Sequence, residues 1–110
     1  MITLEVFSKI FSGPYVGSNS IPLVSTSLKK GIDLDLYVIV DWHVLNEKNP
    51  LTYIDYAKDL FNKVANKYKD SPNIFYEICN EPTSGIDDQI YYANIMIPYI
   101  RAIDSDSIIL

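Results

Sequence analysis

Glu81 stands where an apolar run meets a proline, in the segment Tyr76-Glu77-Ile78-Cys79-Asn80-Glu81-Pro82. The run from Ile74 to Ile78 is β-forming. Pro82 stops sheet pairing where the carboxylate emerges, because proline has no N–H to give to a ladder. A glutamate at the last position of a buried strand, against apolar surface, is expected to keep its proton near neutral pH and to donate it. Asn80 beside it can donate to and accept from a hydroxyl through one amide.

A second run, Tyr37-Val38-Ile39-Val40-Asp41-Trp42-His43, ends a strand in the same way, on a polar and aromatic cluster. On a strand Asp41 and His43 share a face and Trp42 takes the other, so Trp42 is expected to pack beneath helices rather than to meet a ligand. By the same alternation Glu77, Cys79 and Glu81 share a parity, with Asp41 and Glu77 directed to one interior. Asp41, His43 and Glu81 could together offer three ligands to a metal. A hydrolytic metal site ordinarily uses two histidines and His43 is the only one, so no metal is expected. Taken singly, these residues also fit plainer roles: Glu81 a loop carboxylate, Asn80 a turn residue, His43 a structural side chain.

The elements that must position them follow from periodicity. Residues 2 to 7 alternate and read as a strand, Ser12 to Ser20 as loop, and Ser25 to Leu36 as a short helix weakened by Gly31. Tyr37 to Val40 is apolar on both faces, as buried parallel strands are. Asn46 to Leu51 is a loop, and Thr52 with Asp55 resembles a capping box. The following helix places Tyr53, Tyr56, Ala57, Leu60, Val64 and Tyr68 on one stripe and ends before Pro72. After Ile74–Ile78, Asp87 and Asp88 suit a helix N-terminus, and Ile90, Ala93, Ile97 and Ile100 form its stripe despite Pro98. Ser105 to Ser107 turns into a last strand from Ile108. Strands separated by single helices imply parallel pairing and an α/β fold.

Asp-Trp-His ending one strand and Tyr-Glu-Ile-Cys-Asn-Glu-Pro ending the next, one βαβ spacing apart, resemble glycoside hydrolase family 5, the cellulase-type β-glycanases. The resemblance runs on through Lys67-Tyr68, Pro72-Asn73-Ile74-Phe75-Tyr76-Glu77, Ile97-Pro98 and Arg101-Ala102-Ile103-Asp104, and covers residues 29 to 110. It implies that residues 1–110 form part of a (β/α)8 TIM barrel catalytic domain, carrying roughly strands three to five. It implies retaining hydrolysis of internal β-1,4 bonds in cellulose or a related β-glucan. Glu81 would be the acid/base, His43 and Asn80 would hold the sugar, and no cofactor would be needed. The family's nucleophile belongs to a later strand, and no glutamate follows Glu81 here. The chain by itself is therefore expected to be inactive, or at most a weak glycan-binding fragment. The parent enzyme would be secreted, although Met1-Ile2-Thr3-Leu4-Glu5 does not have the pattern of a signal peptide.

Composition agrees with a polysaccharide partner. The 110 residues fall well short of the ~250 of a complete barrel. A hydrophobic fraction of 48% is that of a folded chain. A net charge of −5 opposes binding to nucleic acid or an anionic membrane. No run approaches the ~20 apolar residues of a membrane span. Cys79 is the single cysteine and cannot form an internal disulfide.

Overall fold

The computed structural model describes residues 1–7, 9–10, 13–14, 17–44 and 48–110. In chain order the elements are β1 (Ile2–Phe7), the two-residue strands β2 (Lys9–Ile10) and β3 (Gly13–Pro14), and α1 (Gly17–Asp33). They continue with β4 (Val38–His43), α2 (Ile54–Tyr68), β5 (Ile74–Asn80), α3 (Ile86–Arg101) and β6 (Ile108–Ile109). β2 and β3 pair antiparallel; the other four form one parallel sheet in the order β1-β4-β5-β6. One helix crosses over at each step of the parallel sheet. This is the architecture of a segment of a (β/α)8 barrel.

The helices cover one face of that sheet. Val38, Val40 and Trp42 of β4 and Ile74, Tyr76 and Ile78 of β5 are buried, at every second position. They join Leu28 of α1, Leu60, Phe61 and Val64 of α2, and Met96 and Ile100 of α3 in one apolar core. Phe61 meets Tyr76 edge to face, with ring centres 6.1 Å apart. Burying side chains of this size contributes about 1.5–3 kcal/mol each. Trp42 lies wholly in this core, on the side its parity predicts. On the opposite face Ile39, Phe75, Glu77 and Cys79 are only half-buried.

Several local expectations are revised. α1 starts at Gly17, so Gly17–Ser20 are helical where turn-forming composition predicts loop; Ser12, Tyr15 and Val16 of that loop lie outside the described residues. Pro22 removes one helical hydrogen bond, but seating Val24 and Leu28 in the core outweighs that local preference. The helix ends at Asp33 because Asp35 turns left-handed (φ 56°) and the Leu36 N–H closes back on the Gly31 carbonyl at 3.0 Å. Gly31 is buried, and a Cβ there would overlap Val38 Cγ2; the glycine is what lets α1 approach β4 so closely. Tyr37 is 52% exposed, and the strand begins one residue later.

The capping box at Thr52 does not form: Tyr53 is the N-cap of α2 and makes no side-chain cap. Asn49 organises this entry instead, its Oδ1 accepting the Leu51 N–H at 2.9 Å. Leu45, Asn46 and Glu47 of the preceding loop lie outside the described residues. The buried stripe of α2 includes Phe61 and Ala65, while Tyr56 faces outward. α3 buries Tyr92, Met96 and Ile100 and leaves Ile90 and Ile97 exposed. That helix is apolar nearly all round, so periodicity alone does not choose its inward face.

Candidate active site

The C-terminal ends of β4 and β5 lie side by side, and parallel pairing carries their terminal side chains to one edge of the sheet. Register decides which residues meet. From Val38 to Asp41 the two strands pair in step with Ile74 to Glu77, but His43 pairs with Asn80. Two residues on β5 therefore face one on β4, which is a β-bulge. A bulge reverses the alternation beyond it, so Asn80 turns to the side occupied by Asp41 and His43. The simple parity that groups Glu77, Cys79 and Glu81 fails at this point.

The three side chains brought together form a connected group. His43 Nδ1 lies 2.9 Å from Asp41 Oδ2 and 3.0 Å from the Asn80 amide nitrogen. Asp41 is 1% exposed and the His43 side chain 19%. An ionised carboxylate only accepts, and a buried one requires a donor. Nδ1 serves one of these neighbours at a time: with its hydrogen given to Asp41, the Asn80 amide nitrogen is only in contact and Nε2 keeps its lone pair; with its lone pair taken by the Asn80 amide, the hydrogen sits on Nε2. In the first tautomer the imidazole can accept a hydroxyl hydrogen through Nε2, and in the second it can donate one, with the Asn80 amide beside it in both.

Glu81 follows directly. It is the first residue past β5, it is exposed, and its backbone is left-handed at φ 47°. It is not the last residue of a buried strand, and the apolar cover expected around its carboxyl is not present among the described residues. The bulge and the turn together carry it out of the sheet into the open edge. A non-glycine residue in this conformation costs about 1–2 kcal/mol, and such strain persists only where the surroundings over-determine it. Here the Thr83 N–H donates to the Lys48 carbonyl at 3.2 Å, tying the loop after β5 to the loop after β4. Asn49 Nδ2 reinforces the tie by donating to Asp88 Oδ2 at 2.8 Å.

Tyr92 braces the bulge from behind. Its phenol donates to the Ile78 carbonyl at 2.5 Å. Burial pushes the phenol up from its ordinary range, and at the high pH where a phenol would titrate the neighbouring Cys79 and Asp41 add to the effect, so the O–H stays a donor. Neither Tyr92 nor Asn49 could be assigned to the site from sequence spacing, since both reach it through folded contacts. Among the described residues, no group of three or more His, Cys, Asp or Glu side chains is placed to hold a metal ion, so Asp41, His43 and Glu81 do not converge as ligands.

Comparison with known proteins bears on the family and the fold. The family model for cellulase (glycosyl hydrolase family 5) matches residues 4–110. An endoglucanase of Clostridium saccharobutylicum is 48% identical over 86 residues, covering 76% of this chain and 19% of that protein. Endoglucanase A of Evansella cellulosilytica is 39% identical over 104 residues, 90% of this chain and 21% of that protein. The chain thus spans about a fifth of the length of these curated relatives. Among solved structures, the catalytic domain of a Thermobifida fusca endoglucanase superposes with a TM-score of 0.78 at 33% identity, over 98% of this chain and 36% of that one. The same domain has been solved in complex with cellotetraose.

Proposed function

The chain belongs to glycosyl hydrolase family 5, and from that premise we propose that it supplies the acid/base edge of a β-1,4-glucan hydrolase acting with retention of configuration. Residues 1–110 are read as one part of a single (β/α)8 catalytic domain. Glu81 protonates the leaving glycosidic oxygen as a second carboxylate attacks the anomeric carbon. It then takes a proton from the water that releases the glycosyl group. His43 and Asn80 hold the sugar hydroxyls next to the cleaved bond, with His43 oriented by Asp41.

The observation that carries this reading is the meeting of His43 and Asn80 across β4 and β5, with Glu81 next in the chain and open to solvent. Retention requires two carboxyl groups ~5 Å apart. No glutamate follows Glu81 in this sequence, so the nucleophile is assigned to a strand beyond these residues and the 110 residues alone are read as inactive. A polymeric β-glucan such as cellulose is the substrate class, exported enzyme is the cellular setting, and no cofactor enters.

The test is Glu81→Gln in the complete barrel. The expected result is a fall in kcat on a β-1,4-glucan of about 10²–10⁴-fold, the contribution of a positioned proton donor. Proton NMR of the first product should show the retained anomer. Full activity of Glu81→Gln, or an inverted product, would overturn the assignment.

A further inference from the structure

Glu81 sits at a strained junction, and the structure shows what holds the chain beyond it. The loop from Glu81 to Gly85 must carry the left-handed turn and then enter α3, and it contributes carbonyls that point back toward the helix start. Gln89, one turn into α3, meets two of them: its Nε2 donates to the Pro82 carbonyl at 3.3 Å and to the Ser84 carbonyl at 2.8 Å. One amide nitrogen carries two hydrogens, so both bonds can form together. The Gln89 backbone N–H is also engaged, with the Gly85 carbonyl at 3.3 Å.

These bonds are partly sheltered. Gln89 lines one apolar groove with Pro50, Ile78, Pro82 and Tyr92. In such a setting a lost donor leaves carbonyls poorly solvated, which costs more than at an open surface. Lys48 restrains the loop at Thr83 from the β4 side, and Gln89 restrains it at Pro82 and Ser84 from the α3 side. Pro82 is the residue immediately after Glu81, and its ring already fixes φ. Anchoring its carbonyl removes the main remaining freedom of the peptide next to the Glu81 backbone.

We propose that Gln89 is a positioning residue for Glu81, holding the Glu81 carboxyl in line with the leaving oxygen by clamping the loop that follows it. The proposal rests on the reading of Glu81 as acid/base. It gives Gln89 no contact with substrate and no proton to move. Its effect should therefore appear only where proton donation by Glu81 limits the rate.

Leaving-group dependence separates this role from a general structural one. A glucan leaves as a poor alkoxide and needs the proton; 2,4-dinitrophenyl β-cellobioside leaves without it. Azide, a nucleophile that needs no general base, then relieves the second step. In the complete enzyme Gln89→Met keeps the side chain's size and removes its donor. We expect kcat on cellotetraose to fall between about tenfold and a hundredfold, the range for a misplaced group of this kind. With the aryl cellobioside and azide, the change should stay within about threefold by the same reasoning. Gln89→Lys, which restores a donor, should recover most of the cellotetraose activity.

An equal loss on both substrates, or no loss on either, would overturn the proposal. Should Gln89→Met not fold, Gln89→Glu is read on the same pair, since it keeps size and polarity but cannot donate when ionised. Glu81→Gln is run in parallel. If Glu81→Gln does not split the two substrates, the acid/base reading itself fails. If it splits them and the Gln89 variants do not, only the positioning role is lost.

Discussion

Replacing Gly31 with alanine should reverse in sign when Val38 is trimmed. In an ordinary helix interior Gly→Ala is worth about 1 kcal/mol in favour of the alanine. At Gly31 the new Cβ would land on Val38 Cγ2, well inside the ~3.5 Å of ordinary carbon–carbon contact. Val38 has little room to yield. It is 2% exposed, stiff at χ1 as a β-branched residue, and its N–H is held by the Asn73 carbonyl at 2.8 Å. Overpacking of this kind costs about 1–3 kcal/mol, so the net effect is a loss of roughly 0–2 kcal/mol. Val38→Ala removes the obstructing methyl at its own expense of about 1–3 kcal/mol, and in that background Gly31→Ala should stabilise by about 1 kcal/mol. The coupling between the two substitutions should be about 1–3 kcal/mol, as for residues in direct contact. Urea unfolding followed by circular dichroism of the four chains in the cycle measures it. If Gly31→Ala stabilises equally in both backgrounds, α1 is not seated on the start of β4 as described, and the account of the glycine falls.

Two further outcomes are expected. Burial, with the hydrogen bond to Asp104 second for Tyr76, pushes the phenols of Tyr76 and Tyr92 well above the ordinary value of about 10. The unfolded chain ionises both near that value, so it binds fewer protons above it, and stability present below pH ~10 is lost as pH rises. In an absorbance titration, some of the nine tyrosines should ionise only as far-UV dichroism collapses; all nine titrating together in a native spectrum would refute this. Asp104→Ala removes the acceptor of the Tyr76 hydroxyl at 2.9 Å and of the Asp106 and Ser107 N–H groups. At about 1 kcal/mol per bond, with a buried phenol left unsatisfied, the loss should be about 3 kcal/mol in urea unfolding, and a loss under about 0.5 kcal/mol would contradict the pairing.

The strands were readable because their signal is local. Val38–Val40 and Ile74–Ile78 are largely apolar runs, and both fold as parallel strands with one face in the core and the other half-buried. Helix boundaries were less so. Gly17–Ser20 carries turn-forming residues yet is helical, because packing of Val24 and Leu28 downstream extends α1 over it. The inward face of α3 differs from the stripe of Ile90, Ala93, Ile97 and Ile100 for a related reason. Several of its faces are apolar, and the choice falls to Tyr92, Met96 and Ile100 once the sheet beneath them is in place.

By itself the sequence determined the family, through two short motifs at one βαβ spacing, and the residue types that would do the chemistry. A carboxylate, an amide and an imidazole at strand ends are chemical facts that no folding changes. Their mutual placement was decided only in three dimensions. A single extra residue in β5 turns Asn80 toward His43, and the Ile78 carbonyl at that bulge takes its donor from Tyr92, fourteen positions away. Glu81 then leaves the sheet in a left-handed turn held by Lys48 and Gln89, which come from a neighbouring loop and the following helix. Alternation along a strand predicts sides only while the register is unbroken. Where it slips, hydrogen bonds from other elements decide which way a side chain faces.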